Sequence, residues 1–282
     1  MNITIKNDYI SAAFLSKGAE LCGLYYKERN YMWEGNPKFW AKHAPVLFPI
    51  VGTLKNNTYT IDNQEFKLPR HGFARDYVFD VKSHASDCIV FVLQANEVTQ
   101  QMYPFQFLFE ISYQLIDTKL VVSYHVLNND VTPMPFCIGG HPAFALPLDF
   151  ENYSIDFQQN TSLTTFLLDN DLLSNTTKTL QLDQGKLPLN YNLFENDALV
   201  IKNIPSKSVQ ITENGTPFLK LDYTDFPDLG IWTKVDAPFI CIEPWFGYAD
   251  TPNCTGNLFE KEGIIVLKPN QAFKASFEVE VF

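Results

Sequence analysis

Short stretches in which apolar and polar residues alternate recur along almost the whole chain, and they constrain its fold more than any other feature. The clearest are residues 105–116 and 120–127, which Asp117-Thr118-Lys119 separates as in an antiparallel hairpin. Helical spacing is confined to residues 96–102. Many short strands joined by turn residues, with almost no helical periodicity, predict an all-β fold, a large antiparallel β-sandwich.

Length and composition predict one domain over residues 1–282. A sandwich can reach this size as a single domain, and no linker rich in Gly, Ser or Pro interrupts the pattern. The hydrophobic share of 46%, with 24 Phe and 13 Tyr, supplies enough apolar side chains for one large core. Residues 162–196 are the most polar and turn-rich part of the chain, so we expect long surface hairpins there.

The net charge of −11 argues against a nucleic acid or an anionic membrane as partner, because both require clustered Lys and Arg. A neutral small molecule fits this charge better. No stretch approaches the roughly 18 apolar residues of a membrane span, and the first residues lack a basic region followed by an apolar run. The sequence therefore predicts a cytoplasmic protein, either a monomer or a homodimer.

The cysteine pattern disfavours both a disulfide framework and a zinc site, because the cysteines are odd in number, widely spaced and free of CxxC pairs. They are Cys22, Cys88, Cys137, Cys241 and Cys254. We expect reduced, mostly buried thiols. HxH, HExxH, Walker, GxGxxG and GxSxG motifs are also absent from the sequence, so no metal and no cofactor are predicted.

Two short motifs each place one side chain that can donate or accept a proton beside rigid backbone. They are Gly139-Gly140-His141-Pro142 and Cys241-Ile242-Glu243-Pro244-Trp245. Imidazole titrates near pH 6.5 and a free Glu near 4.3, so together they can donate and accept a proton in one turnover. Burial in an apolar strand should raise the pKa of Glu243, and Pro244 predicts that the strand ends or bulges there. His141 is predicted on a shaped turn. A structural histidine and a strand-end glutamate paired with a cation are the alternatives.

His71 and Arg75 lie four positions apart, a spacing that lets an imidazole and a guanidinium face the same ligand. An ion pair between Arg75 and Asp76 is the alternative. Several aromatic residues near the motifs are candidates for a floor under the apolar face of a sugar ring, although most aromatic residues belong to the core. They are Phe144, Trp232, Trp245, Phe246 and Tyr248.

Three motifs, in their order along the chain, resemble those of the aldose 1-epimerase (galactose mutarotase) family. They are His71-Gly72-Phe73-Ala74-Arg75, Gly139-Gly140-His141-Pro142-Ala143-Phe144 and Cys241-Ile242-Glu243-Pro244-Trp245. The likeness is greatest to its LacX-like branch and covers nearly the whole chain. It implies the galactose mutarotase-like supersandwich, with His141 as general acid, Glu243 as general base and His71 as the second active-site histidine. Asp197 matches the family's sugar-hydroxyl-binding aspartate.

The resemblance implies an isomerase that interconverts the α and β anomers of a free hexose without a cofactor. Glu243 would remove the proton of the anomeric hydroxyl while protonated His141 gives one to the ring oxygen, so that the ring opens, its first bond rotates and the ring closes again. The expected sugar-binding residues are His71, Arg75, Asp197 and Trp232.

One departure from the branch is Thr53, where its members commonly carry an arginine, so that a polar contact is either missing or supplied by Lys55. Three other functions stay open. Arg70 and Arg75 suggest a hexose 6-phosphate mutarotase, because phosphate favours bidentate arginine contacts. A non-catalytic carbohydrate-binding protein is the second, and a glycoside hydrolase, which needs two carboxylates, is the third. Convergence of His141 and Glu243 on one cavity from opposite sides of a sugar ring would favour the epimerase.

Overall fold

The structure is a computed structural model that describes residues 3–158 and 160–282, so Met1, Asn2 and Gln159 lie outside it. The described residues form 25 strands. In chain order they are β1 (Ile3–Lys6), β2 (Ile10–Leu15), β3 (Glu20–Tyr26), β4 (Arg29–Asn30), β5 (Val46–Leu47), β6 (Thr58–Ile61), β7 (Gln64–Lys67), β8 (Asp80–His84), β9 (Cys88–Gln94), β10 (Phe107–Ile116), β11 (Lys119–Asn128), β12 (Met134–Phe136), β13 (Ile138–Gly140), β14 (Ala143–Ala145), β15 (Tyr153–Asp156), β16 (Ser162–Asp169), β17 (Leu172–Gln181), β18 (Lys186–Pro188), β19 (Leu199–Ile201), β20 (Ser208–Glu213), β21 (Thr216–Asp222), β22 (Asp228–Trp232), β23 (Phe239–Phe246), β24 (Ile265–Leu267) and β25 (Ala272–Val281).

Helical structure in the described residues is limited to one short α-helix and five 3-10 turns. They are α1 (Glu97–Met102) and the turns Lys55–Asn57, Ala74–Asp76, Phe150–Asn152, Tyr191–Phe194 and Leu258–Glu260. The α-helix begins where the sequence predicts it, because the Asn96 side chain accepts hydrogen bonds from the backbone N–H groups of Val98 and Thr99.

Two large antiparallel sheets dominate the fold. The nine-stranded sheet has the order β18-β15-β20-β21-β25-β11-β10-β9-β8, and the eight-stranded sheet has the order β17-β16-β19-β22-β23-β13-β5, with β14 also paired to β23. A four-stranded sheet β1-β2-β3-β4 and the pairs β6-β7 and β12-β24 complete the strands. This architecture confirms the predicted all-β antiparallel fold.

Strands β10 and β11 show how the alternating pattern produces this architecture. They pair in continuous antiparallel register, with Ile116 opposite Lys119, so that a two-residue turn joins them. Every second residue of both strands is buried, as period-two alternation requires. The hairpin predicted from the sequence is therefore confirmed, with its boundaries shifted by one or two residues.

One continuous hydrophobic cluster spans the molecule. It contains residues from Ile5 in β1 to Val281 in β25 and draws on all five sheets. Aromatic rings form much of it, as in the packing of Phe48 against Phe109 with ring centroids 4.8 Å apart. The aromatic excess of the sequence is therefore mainly core.

The prediction that the strand ends or bulges at Pro244 is wrong, because β23 continues unbroken to Phe246. The backbone N–H of Ile242 donates to the Pro142 carbonyl at 3.3 Å, so the Pro244 nitrogen, two positions on, faces the same side. On that side β23 pairs with β14 up to Cys241, and its pairing with β13 begins at Trp245. Pro244 therefore lies in a gap between two partner strands, where its missing N–H costs no ladder hydrogen bond.

All five cysteines are free thiols. Only Cys137 and Cys241 are buried, and the other three are half-buried, so the expectation of mostly buried thiols is only partly met. No helix in residues 3–158 and 160–282 is long and apolar enough to cross a membrane.

Candidate active site

A cavity of about 360 Å³ lies against the eight-stranded sheet. Strands β16, β17, β19, β22 and β23 each contribute at least one side chain to its wall, and the segments between strands supply the rest. The lining includes all six site residues proposed from the sequence: His71, Arg75, His141, Asp197, Trp232 and Glu243.

His141 lies on the turn between β13 and β14, as predicted, and is buried. Its ring stacks on Trp40, with centroids 4.8 Å apart and an interplanar angle of 25°. The rings of His71 and Trp232 meet it edge-on, with centroids at 5.7 and 5.9 Å. Packing on three sides fixes the orientation of the imidazole.

Glu243 lies in the middle of β23, opposite Gly230 of β22, and is only 1% exposed. One of its carboxylate oxygens, Oε2, is 3.3 Å from Nε2 of His141. The two side chains therefore lie next to each other on one wall of the cavity. They converge on one cavity, where they are neighbours in contact rather than side chains that face each other across it.

Burial controls the protonation of this pair. It lowers the pKa of His141 to about 3, and it raises the pKa of Glu243 well above the usual value of a carboxyl group. Both shifts disfavour the charged forms. Burial therefore favours a protonated carboxyl group beside a neutral imidazole whose free nitrogen can accept a proton.

A backbone hydrogen bond determines which ring nitrogen of His71 carries the proton. The Gly52 N–H donates to its Nδ1 at 3.1 Å, and burial lowers its pKa well below the usual value. Because Nδ1 accepts, the proton of the neutral ring is on Nε2, which gives the cavity a hydrogen-bond donor. Nε of Arg70 also approaches that nitrogen, at 3.3 Å. A neutral imidazole accepts a hydrogen bond at only one nitrogen, and the Gly52 contact is the shorter of the two.

Arg70 connects three parts of the cavity wall, a role that the sequence analysis missed. Its guanidinium donates to Asp171 at 2.9 Å and lies 3.8 Å from the carboxylate of Asp197. Asp171 sits in the turn between β16 and β17, so the segment predicted to form only surface hairpins also supplies part of the site. No local sequence pattern predicts a contact between residues 70 and 171, which are far apart along the chain.

Arg75 makes contacts within the protein, and its predicted contact with a ligand stays a prediction. It lines the cavity, but one terminal nitrogen donates to the Arg70 carbonyl at 2.6 Å, and its Nε is 3.8 Å from Asp76. The hydrogen bond to residue 70 holds the backbone turn that carries His71. Arg75 therefore positions the other two residues, and its ion pair with Asp76 is long.

Three non-glycine residues of the site have left-handed backbone conformations, His71 with φ of 68°, Asp171 with φ of 65° and Asp197 with φ of 71°. Such conformations are uncommon for residues with a side chain and cluster at functional sites. One carboxylate oxygen of Asp197 accepts from the N–H of Ala198 at 2.8 Å, and its other oxygen is the one near Arg70. The side chain is 34% exposed and can reach a ligand.

Of the aromatic candidates, Trp232 and Trp245 line the cavity, whereas Phe144, Phe246 and Tyr248 do not. Trp245 fits because β13 and β22 carry glycines beneath it. A Cβ at Gly139 would lie 2.6 Å from its Cδ1, and one at Gly230 would lie 2.4 Å from its Cη2. Trp40, which the sequence analysis did not single out, is the third tryptophan of the wall.

Thr53 and Lys55 do not reach the cavity lining. Nζ of Lys55 donates to the carbonyl of Pro252 at 2.6 Å, so Lys55 does not supply the contact that an arginine at position 53 would make. Among the described residues, Arg70 and Arg75 are the cations of the lining.

The fold also brings together a group of possible metal ligands that spacing in the sequence did not reveal. One ligand atom each from His141, Cys241 and Glu243 lie within 4.8 Å of one another, and all three residues are buried. Cys241 and Glu243 are two apart on β23, whereas His141 comes from a turn about 100 residues earlier.

The whole chain is similar to known proteins of one family. A model of the aldose 1-epimerase family matches residues 1–280. The LacX protein of Lactococcus lactis subsp. lactis is 31% identical over 302 aligned positions, which cover 100% of this chain and 99% of that protein.

Two solved structures are similar over their whole length. A galactose mutarotase related enzyme from Lactobacillus acidophilus has 34% identity and a TM-score of 0.95, with 100% of this chain and 97% of that chain covered. A galactose mutarotase-like protein from Lactobacillus casei ATCC 334 has 30% identity and a TM-score of 0.93, with both chains fully covered at 100%. These matches confirm the resemblance drawn from the motifs.

Proposed function

The chain belongs to the aldose 1-epimerase family, and from this premise we propose that it interconverts the α and β anomers of a free hexose by acid–base ring opening. Glu243 removes the proton of the anomeric hydroxyl, and His141 gives a proton to the ring oxygen. The bond between C1 and the ring oxygen breaks, the aldehyde forms, and rotation about the C1–C2 bond before re-closure inverts the anomeric centre.

The observation that carries this proposal is the contact between Nε2 of His141 and Oε2 of Glu243 at 3.3 Å inside the cavity. The anomeric oxygen and the ring oxygen are bonded to the same carbon. An acid and a base that serve them must therefore be neighbours, as they are here, and need not lie on opposite sides of the ring.

Ring opening begins with the proton on His141, whereas burial favours the proton on Glu243 while the cavity is empty. Transfer of one proton across their contact interconverts the two states. The form with Glu243 protonated and His141 neutral is the form that ring closure requires, so one proton serves both directions of the reaction. Hydroxyl groups of a bound sugar that donate to Glu243 would favour the carboxylate and so shift the pair toward ring opening.

The remaining lining suits a hydroxylated ring. His71 offers a donor through Nε2, Asp197 offers a carboxylate acceptor, and Trp232 provides an apolar face. Because Trp232 projects from β22 and His71 from a turn held by Gly52 and Arg75, these two groups can orient the sugar against the reacting pair.

The charges of the lining favour a neutral hexose over a phosphorylated one. Two cations, Arg70 and Arg75, are balanced by two carboxylates, Asp171 and Asp197, both of which lie near Arg70. Arg75 also donates to the Arg70 carbonyl. A dianionic phosphate would have to displace these contacts and would meet both carboxylates.

Polarimetry of freshly dissolved α-D-glucose and α-D-galactose tests the proposal. The protein should accelerate relaxation above the buffer rate, and Glu243→Gln and His141→Asn should each lose about 100-fold or more, since each removes a proton-transfer group. His84→Asn, which changes an exposed histidine on β8, is the control and should retain full activity.

A parallel run with α-D-glucose 6-phosphate distinguishes the substrate classes. Acceleration confined to the phosphate ester would contradict a free hexose as substrate. Rates equal to buffer with all three sugars would indicate a protein that binds carbohydrate without catalysis.

A further inference from the structure

We propose that the floor of the cavity is also a binding site for a thiophilic divalent cation of the Zn²⁺ type, formed by His141, Cys241 and Glu243. A nitrogen, a sulfur and a carboxylate oxygen form a typical three-residue ligand set for zinc, with a fourth position left open. Here His141 and Glu243 line the cavity, and Cys241 is buried beside them.

The geometry is close to what the ion requires. For bond lengths of about 2.0–2.3 Å, a tetrahedral zinc site separates its ligand atoms by about 3.3–3.8 Å. Nε2 of His141 and Oε2 of Glu243 are 3.3 Å apart, and all three ligand atoms lie within 4.8 Å of one another. A side-chain movement of about one ångström therefore completes the set.

Unpartnered buried groups provide an independent argument. Among the described residues, neither Oε2 of Glu243 nor Nδ1 of His141 has a hydrogen-bond partner, and Glu243 is 1% exposed. Buried polar atoms without partners are costly, and a cation would satisfy the carboxylate directly. The charges also balance, because Zn²⁺ neutralises one carboxylate and one thiolate, and the protons of the Cys241 thiol and the Glu243 carboxyl group pass to solvent as the Zn–S and Zn–O bonds form.

The missing outer contacts indicate that such an ion is an inhibitor rather than a resident cofactor. A zinc-binding histidine normally donates its second N–H to a carboxylate or a carbonyl, which fixes the ring and strengthens the site. Nδ1 of His141 has no such partner in the part of the chain that the structure describes. If the proposed function is correct, a bound ion occupies both the acid and the base, so it stops proton transfer and competes with the sugar.

Titration calorimetry of the sugar-free protein with ZnCl₂ tests the site without reference to activity. We expect one Zn²⁺ per chain, at least tenfold weaker binding to Cys241→Ala and to Cys241→Ser, and no comparable binding of Mg²⁺, which prefers oxygen ligands. Cys137→Ala, which removes the other buried thiol, is the matched control and should bind Zn²⁺ like wild type.

Absorption after addition of Co²⁺ identifies the ligand directly, because a thiolate–cobalt band should appear with wild type and disappear with Cys241→Ala. Absence of Zn²⁺ binding to the wild-type protein, or equal binding to Cys241→Ala and wild type, would refute the site. Since neither measurement uses a sugar, this result is independent of whether the protein accelerates mutarotation.

Discussion

At the scale of single residues, burial determines which groups of the active site are charged. It is the largest cause of the lowered pKa of both histidines and of the raised pKa of Glu243. Burial therefore favours the neutral form of all three groups. A neutral, dry pair that shares one proton is suited to a neutral substrate, because no strongly hydrated ion must be displaced when a sugar enters.

The pH dependence of stability tests the state of His141. In the unfolded chain this residue takes up a proton near pH 6.5, but in the folded protein only near pH 3. The stability that neutral His141 contributes is complete above the unfolded pKa and is lost as the pH falls toward the folded pKa. Relative to His141→Asn, wild type should therefore lose about 2 kcal/mol of unfolding free energy between pH 7 and pH 5.

Urea denaturation of both proteins at both pH values measures this difference. Comparison with the variant isolates His141, because the other titrating groups, including Glu243, are present in both proteins. A free-energy gap between wild type and variant that stays constant from pH 7 to pH 5 would show that His141 is not buried in its neutral form.

Trp245 supplies a second test at this scale. Its indole N–H has no hydrogen-bond partner of normal geometry among the described residues, yet it lies close enough to Glu243 to lower the pKa of that carboxyl group against the larger effect of burial. We infer that this N–H stabilises the carboxylate form needed for ring opening. Trp245→Phe should therefore reduce kcat about tenfold and move the acidic limb of the pH–rate profile to higher pH.

The shift of the acidic limb separates this role from simple packing, since a ring that only fills space would not alter the pKa of Glu243. Gly230→Ala is the companion variant, because its Cβ would lie 2.4 Å from the Trp245 ring and displace it. A Trp245→Phe profile with the wild-type limb position would contradict the inference.

At the scale of elements, the hairpin of β16 and β17 supplies one part of the cavity wall. Only one residue pair, Phe166 with Val200, links β16 to β19, and a bulge interrupts the β16–β17 ladder after Phe166. Leu168 and Leu173 near the tip line the cavity, and Asp171 at the turn binds Arg70. The ion pair therefore helps to hold the hairpin tip against the Arg70–His71 turn.

Asp171→Asn should weaken this contact and raise KM for a free hexose about two- to fivefold, with little change in kcat. The modest size follows from exposure, because the Arg70 and Asp171 side chains are 40% and 54% exposed and exposed ion pairs contribute up to about 1 kcal/mol. The matched control is Asp169→Asn, which changes an aspartate of the same hairpin end whose carboxylate accepts only from Asn170. An equal effect of both substitutions on KM would contradict a specific role for Asp171.

The elements also show where prediction from sequence succeeds. The β10–β11 hairpin and α1 were predicted because their signals are local: alternation along two strands, and helical spacing over one short segment. The continuation of β23 through Pro244 could not be predicted from local sequence, because it depends on the gap between two partner strands, β13 and β14. Likewise, no local pattern brings the tip of the β16–β17 hairpin to Arg70.

At the scale of the whole molecule, the continuous core predicts that residues 1–282 unfold as one domain. The main cluster joins strands from both ends of the chain, and the Tyr31 hydroxyl donates to the carbonyl of Phe282 at 2.6 Å. Loss of any large sheet would expose apolar surface of the others, so we expect a single cooperative transition. Scanning calorimetry should give one peak with equal calorimetric and van't Hoff enthalpies, whereas two resolved peaks would indicate separate domains.

The sequence by itself determined the fold class and the family, and it named the candidate site residues that the fold brings together. Alternation is imposed by the strand backbone, and the motifs around His71, His141 and Glu243 are contiguous, so both can be read without coordinates. Tertiary structure alone decided how these residues meet: the 3.3 Å contact of acid and base, the pairing of Arg70 with Asp171 from a distant hairpin, and the position of Cys241 beside the reacting pair. It also decided their protonation, because the shift in pKa depends on how many atoms of distant segments exclude water from each group.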